Sequence, residues 1–261
     1  MGLEEILAYL GAICMGLILG LAGGGGSIIT VPILVYLLHL EAVTATAYSL
    51  FVVGITASVG TIRHYQQGNV DFKSGLTFAI PAILAVYSAR AFLVPALPDV
   101  IFQTDTVVFT KNSALMLLLA AVMFWAAYSM LKKKNASLEN SRSYPALVIT
   151  GLIVGLVTGI IGAGGGFLVV PSLVLFAGLP IKKAIGTTLL VVASKSLIGF
   201  IGDLQHLTVD WKLLISFSIC AVIGIFIGVK LSSHVNEVKL KKGFAYFVLA
   251  MAVFVLFKEI F

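Results

Sequence analysis

The chain has 261 residues, of which 60% are hydrophobic and only 11% are charged, and its formal net charge is +6. A soluble domain carries about 25% charged residues, so this composition excludes an ordinary soluble fold and predicts a polytopic integral membrane protein. The basic residues do not form a Lys/Arg patch with interleaved aromatic residues, which argues against a nucleic-acid partner.

Ten apolar runs follow one another along the chain, and most reach the roughly 17 to 25 residues that a membrane-spanning helix needs. They cover residues 4–21, 27–38, 44–62, 73–93 and 111–131, and then 146–161, 167–178, 183–201, 211–230 and 243–260. The polar stretch at 132–144 is interpreted as a linker between the two groups. We therefore predict an all-α, multi-pass protein of the cell membrane with two parts, residues 1–131 and 145–261.

Four consecutive glycines, Gly23 to Gly26, interrupt the first apolar region, and Pro32 follows shortly after them. Glycine disfavours a helix by roughly 1 kcal/mol per residue, so a helix is expected to break here. Broken backbone inside a membrane is tolerated only where protein or water satisfies its polar groups, which predicts that the glycines pack inward. The run at 27–38 would give roughly 18 Å of helix. Because a bilayer core is about 30 Å thick, a half-helix beginning at Ser27 is predicted.

The same pattern occurs again 139 residues further along the chain. The segment "GLAGGGGSIITVPILVYLLHL" falls on "GIIGAGGGFLVVPSLVLFAGL". The match runs without a gap from Gly20/Gly159 to Lys73/Lys212, and 19 of these 54 pairs are identical. An internal repeat sets the architecture, so a second half-helix is predicted to begin near Phe167.

The distribution of lysine and arginine predicts how the two halves are oriented. By the positive-inside rule, the linker at 132–144 and the lysine-rich loop at 230–242 are both cytoplasmic. An even number of crossings must separate them, and this holds only if residues 146–178 form two arms bent at the glycines. Each half then has five segments, so the second half is inserted upside down. Inverted-topology repeats are typical of secondary transporters.

The glycines also predict a binding site. A helix N-terminus presents unpaired N–H groups and about half a positive charge, and glycine lets a ligand approach the backbone closely. Two such N-termini entering from opposite sides would form one anion site near the midplane. The alternative is that the glycines only allow close helix packing. The predicted site comprises the glycines and first residue of each half-helix, hydroxyl groups from the following spans and one lysine: Gly24, Gly25, Gly26, Ser27, Gly164, Gly165, Gly166, Thr46, Ser49, Thr187, Thr188 and Lys195.

Several polar residues leave alternatives open. Hydroxyl side chains in a membrane helix often bond only the carbonyl four residues back. Lys195 either faces the site or snorkels toward the outer interface. Arg90 lies near the outer end of its run and is expected to snorkel. Asp71 and Asp210 each precede a span and are expected to be helix N-caps.

The motifs "GLAGGGGSIITVPIL" and "GIIGAGGGFLVVPSL", each followed by a hydroxyl-bearing helix and a loop such as "RHYQQGNVDF", resemble the TauE/SafE sulfite exporter family of permeases. The resemblance covers nearly the whole chain. It implies a multi-spanning secondary transporter for small sulfur-containing anions such as sulfite, sulfoacetate or other organosulfonates. The first half keeps the family's histidine at His64, whereas Asp203 stands at the equivalent place in the second half.

The residues favour transport over catalysis. The sequence has no Walker motif and no cluster with metal-ligand spacing, and no segment carries Asp or Glu near its centre. We therefore predict neither an enzyme nor a cofactor. An anion channel that uses the same glycine site is the alternative function. Three points stay open: export as the direction, coupling to protons through His64 or His206, and a homodimer.

Overall fold

The computed structural model describes residues 2–103, 108–131, 143–232 and 237–260, and helices dominate it. The first half contains α1 (Leu3–Ala22), α2 (Ser27–Tyr36), α3 (Ala42–Gln66), α4 (Phe72–Ser88), the short α5 (Val94–Ala96) and α6 (Lys111–Leu131). A π-helical turn, Ala89–Leu93, joins α4 to α5. The second half contains α7 (Tyr144–Ile161), α8 (Gly166–Ala177), α9 (Ile181–Asp203), α10 (Trp211–Leu231) and α11 (Glu237–Ile260).

Seven helices in the described part of the chain are long and apolar enough to cross a membrane, if α4 to α5 is counted as one. The helices α2 and α8 have only 10 and 12 residues, about 15 to 18 Å of helix, so neither can cross the bilayer alone. Large apolar side chains such as Ile80, Ile153 and Phe226 are exposed, as expected of helices that face lipid. The predicted multi-pass helical fold and both half-helices are confirmed.

The predictions missed one element. Val100–Gln103 (β1) and Val108–Thr110 (β2) pair antiparallel in the connection between α5 and α6. β-branched and aromatic residues favour strands, and this segment is too short to span a membrane. Of the predicted linker at 132–144, residues 132–142 lie outside the described residues, and Tyr144 already begins α7.

Two aspartates cap spanning helices, as predicted. The Asp71 carboxylate accepts hydrogen bonds from the amides of the second and third residues after it, at 3.1 and 3.4 Å, and so caps α4. The Asp210 carboxylate does the same at the start of α10, at 3.0 and 3.1 Å. Each carboxylate satisfies amides that the first helical turn leaves unpaired, so the two aspartates have a structural role.

The first helix of each half packs along the fourth helix of the other half. The helix α1 lies along α10, and α7 lies along α4, in two of the most extensive contacts of the described structure. Gly16 abuts the Ala221 carbonyl oxygen and Gly155 abuts that of Ala82, so a Cβ at either glycine would collide with backbone. The two contacts are equivalent in the repeat, because Gly155 is the repeat mate of Gly16 and Ala221 is the repeat mate of Ala82. Small residues allow helices to approach this closely.

The repeat mates α3 and α9 pack against each other at the centre of the protein. Gly60 of α3 contacts Leu189 of α9, whereas Leu50 contacts Gly199, so the two helices run antiparallel. These two contacts are also repeat-equivalent, because Gly199 is the mate of Gly60 and Leu189 is the mate of Leu50. Antiparallel packing of repeat mates is what an inverted repeat requires, and insertion of the halves in opposite orientations stays a prediction.

Candidate functional site

Both glycine runs form buried breaks between helices. Loop 1 (residues 23–26) follows α1, and loop 2 (residues 162–165) follows α7; both are buried. Gly23 and Gly162 each have a φ of 72°, in the left-handed region that favours glycine. The predicted breaks and the inward packing of all four glycines of loop 1, Gly25 included, are confirmed.

The start of loop 1 touches the first residue of α8 at mid-length of the two central spans. A Cβ on Gly24 would lie 2.1 Å from the carbonyl carbon of Gly166, so the two backbones are in direct contact. A Cβ on Gly164 would lie 2.4 Å from Cγ1 of Val53 and 3.1 Å from Cγ1 of Val192. These valines are each the twelfth residue of their helix, in α3 and α9.

The amides of both loops have few partners. Within the described residues, no amide of residues 24–27 or 163–167 donates a backbone hydrogen bond. The Ser27 hydroxyl donates to the Gly24 carbonyl at 2.9 Å, which holds loop 1 in place without engaging an amide. A buried donor without an acceptor costs about 1 to 3 kcal/mol. The loops therefore present donors that an anion can satisfy.

Lys195 supplies a positive charge beside loop 2. Its side chain is only 1% exposed, so the snorkelling alternative is wrong. The Nζ atom lies 3.1 Å from the position a Cβ of Gly165 would take, and it donates a hydrogen bond to the Thr158 hydroxyl. An ammonium group has three N–H donors. A buried charge is costly unless it is paired, so Lys195 can accommodate an anion beside the glycines.

Two of the predicted hydroxyl residues are available to a ligand. Ser49 and Thr188 are repeat mates and both are buried, and neither hydroxyl has a hydrogen-bond partner among the residues the structure describes. They therefore do not form the local bond to the carbonyl four residues back, which was the alternative. Each lies one helical turn before one of the two valines that pack on Gly164, Val53 and Val192, so one hydroxyl of each half lies close to that contact in sequence.

The other two predicted hydroxyl residues are engaged elsewhere. The Thr187 hydroxyl accepts a hydrogen bond from the Asp71 amide at 2.9 Å. Successive residues of a helix point about 100° apart, so Thr187 and Thr188 face different neighbours. The Thr46 hydroxyl donates to the Val43 carbonyl at 2.8 Å and accepts from Arg90 at 3.0 Å. Thr187 thus faces the start of α4 rather than the glycine loops.

Arg90 belongs to a buried polar cluster that the sequence did not predict. We name Thr46, Arg90 and Asp203 the outer cluster, after the side that the predicted topology gives it. Arg90 is fully buried, so the expected snorkelling is wrong. Its Nη1 lies 3.5 Å from Asp203 Oδ1. A Cβ on Gly162 would lie 2.3 Å from Thr46 Cβ, so the outer cluster adjoins loop 2.

Sequence reasoning also missed several buried hydroxyl groups and one histidine environment. Thr30 and Ser196 are buried with unpartnered hydroxyls in the described structure, and Thr158 holds Lys195. Thr158 lies four residues before Gly162, and this proximity to the glycine motif could have identified it. His64, the repeat mate of Asp203, is also buried.

A separate cavity of about 770 Å³ lies between α1 and α10. Its lining is mostly apolar, contains the charged residues Glu5, Asp210 and Lys212, and includes none of the predicted site residues. Two of these three charges are acidic and repel an anion, so the lining is less suited to an anion than the glycine loops are. The cavity is therefore not the candidate site.

The comparisons with known proteins show the family of the chain. The family model described as sulfite exporter TauE/SafE matches residues 8–255, which include both glycine loops and the outer cluster. The chain belongs to the TauE/SafE family. Members of this family are membrane transporters rather than enzymes, which confirms the resemblance seen in the two glycine motifs.

Curated relatives of this TauE/SafE chain carry names of the same kind. A "probable membrane transporter protein" of Xylella fastidiosa is 28% identical over 254 residues, covering 94% of this chain and 92% of the relative. The "probable membrane transporter protein YdhB" of Bacillus subtilis is 29% identical over 231 residues, covering 88% and 91%. A "probable membrane transporter protein" of Methanocaldococcus jannaschii is 25% identical and covers 74% and 71%. No solved structure gives a significant match.

Proposed function

We propose that this TauE/SafE protein is a secondary transporter that exports small sulfur-containing anions, such as sulfite or short organosulfonates. The anion binds near the midplane between the two glycine loops. The observation that supports this site is the backbone contact between Gly24 of loop 1 and Gly166 at the start of α8, beside loop amides that donate no backbone hydrogen bond among the described residues. A sulfite or sulfonate group offers three oxygen acceptors in a small volume, which suits several converging N–H donors.

The residues around the loops would complete the anion's partners. Lys195 adds a charged donor at Gly165, and charge-assisted hydrogen bonds are about twice as strong as neutral ones. Ser49 and Thr188 add one unpaired hydroxyl from each half. These donors offset the cost of moving an anion from water into an apolar protein interior.

The closed contact between loop 1 and α8 favours a transporter over a channel. Gly24 and Gly166 touch backbone to backbone, and Lys195, Ser49 and Thr188 are at most 1% exposed. An anion between the loops would therefore have to separate them, which fits a cycle of alternating access through two inverted halves. Export, coupling to protons and a homodimer are predictions that belong to this proposal.

The test of this function is binding and flux with a panel of anions. We expect sulfite or a short alkylsulfonate to raise the melting temperature of the purified protein more than sulfate or acetate does. Proteoliposomes should then exchange the bound anion across the membrane, with rates that saturate. Stabilisation by carboxylates alone would contradict the substrate class, and non-saturating flux that persists without a counter-substrate or proton gradient would identify a channel.

A further inference from the structure

Arg90 is a buried cation whose hydrogen-bonding capacity is largely unused. Its Nη1 contacts the Thr46 hydroxyl at 3.0 Å and Asp203 at 3.5 Å. Its Nε and Nη2 are buried without a partner in the described structure. The Oδ2 atom of Asp203 likewise has no hydrogen-bond partner among the described residues. A guanidinium binds a carboxylate or other oxyanion best through two parallel N–H groups, so this ion pair leaves the favoured geometry unfilled.

The repeat shows that this cluster is not a general requirement of the fold. The repeat-equivalent positions of Thr46, Arg90 and Asp203 carry other residues. They are Ile185, Val229 and His64, respectively. Ile185 packs on Gly23 as Thr46 packs on Gly162. One copy of this packing is therefore apolar apart from a histidine, whereas the other contains a buried cation and anion.

A buried cation lies near each end of loop 2. Thr46, which contacts Gly162 at the start of the loop, accepts a hydrogen bond from Arg90. Lys195 lies at Gly165, at the end of the loop. Its repeat mate in the first half is the neutral Thr56. The positive charge that can attract an anion is thus concentrated around loop 2, and loop 1 has no equivalent lysine or arginine at these positions.

We propose that Arg90 is a second anion-binding group, on the outer side of loop 2, which takes the same class of oxyanion through its Nε and Nη2 atoms. This inference rests on the proposed function. Asp203 acts as an internal competitor, because its carboxylate pairs with Arg90 when no substrate anion does so. The long 3.5 Å contact through a single nitrogen is weaker than the bidentate contact that a sulfonate group would make.

The test compares three variants in the purified full-length protein. Arg90→Gln removes the charge, and Asp203→Asn removes the competing charge while it keeps an oxygen that accepts from Arg90. Arg63→Gln is the matched control, since Arg63 is an exposed arginine whose guanidinium stacks 4.9 Å from the centre of the Phe226 ring. Methanesulfonate is the probe, because its charge does not change over the usable pH range, and calorimetric titration gives its Kd.

We expect Arg90→Gln to weaken methanesulfonate binding by about tenfold or more, as the loss of a charge-assisted hydrogen bond does. Asp203→Asn should tighten binding, and Arg63→Gln should leave it unchanged. Unchanged Kd values in both Arg90→Gln and Asp203→Asn, with lower melting temperatures, would show a purely structural ion pair and overturn the proposal. Weaker binding in Asp203→Asn would overturn the competition.

The same experiment separates this inference from the proposed function. If the wild type binds another anion but no sulfonate or sulfite, the substrate class is wrong, and the comparison of the variants is repeated with the anion that binds. If the wild type binds sulfonate and the variants match it, only the role of Arg90 fails. If the wild type binds no anion at all, both proposals fail.

Discussion

Replacing Lys195 tests the candidate site most directly. The lysine is buried, and its ammonium makes one hydrogen bond in the described structure, to Thr158. Two of its three N–H donors are therefore available to a bound anion. Losing one hydrogen bond to a charged group costs about 1.5 to 3 kcal/mol, which corresponds to a roughly ten- to hundredfold increase in Kd.

Stability should respond differently from binding. Lys195→Met keeps most of the side-chain volume and removes a buried charge that has a single hydrogen bond, and such replacements are often neutral or stabilising. We therefore expect this variant to bind sulfite or methanesulfonate at least tenfold more weakly while its melting temperature without ligand is the same or higher. Lys195→Arg should retain part of the binding, because its charge remains while its geometry changes.

Calorimetric titration of the wild type, Lys195→Ala, Lys195→Met and Lys195→Arg measures this difference, and Lys182→Ala is the control, since Lys182 is exposed. Dissociation constants that agree across the wild type and all three Lys195 variants would refute the reasoning. They would leave the loop amides and hydroxyls to hold the anion without a lysine.

Two further predictions concern the glycines and the topology. Gly164→Val should abolish transport while the protein remains in the membrane, because even a Cβ would lie 2.4 Å from Val53. The control is Gly243→Val, where a Cβ would meet nothing within 4 Å. Normal flux in Gly164→Val would show that transport does not need Gly164. In a background without the two native cysteines, a cysteine at Lys183 should react with a membrane-impermeant reagent only from the cytoplasmic side, and one at His206 only from outside. Labelling with the opposite pattern would exclude the predicted orientation of the second half.

The positions of the helices could be predicted because hydropathy and glycine act locally. The run at 111–131 matches α6 at both ends, and the predicted start at Ser27 is that of α2. Internal repetition then extended the argument to the second half-helix, which begins at Gly166, one residue before the expected Phe167. Length and apolar character are enough for such predictions, since they do not depend on which helices are neighbours.

The environment of individual charges could not be predicted in the same way. Lys195 and Arg90 each lie toward one end of a span, where a long side chain can reach the interface. Only the tertiary packing shows that both side chains turn inward, Lys195 to Thr158 of α7 and Arg90 to Asp203 of α9. The sequence also did not determine which way the Thr187 side chain points. The rotation of α9 about its axis decides whether Thr187 faces the start of α4 or the glycine loops, and this rotation depends on tertiary contacts. The spacing of Gly16 and Gly20, by contrast, is a small-residue motif that could have predicted a close helix contact.

The exchanged pairing of the helices has a consequence for how the molecule can move. Backbone contacts at Gly16 and Gly155 lock α1 to α10 and α7 to α4, and interdigitated backbones of this kind separate only at the cost of many van der Waals contacts. We therefore expect the rigid bodies of a transport cycle to be hybrids that each contain helices from both sequence halves. We expect the bending to occur at the glycine loops, because each loop follows directly on a locked helix, α1 or α7.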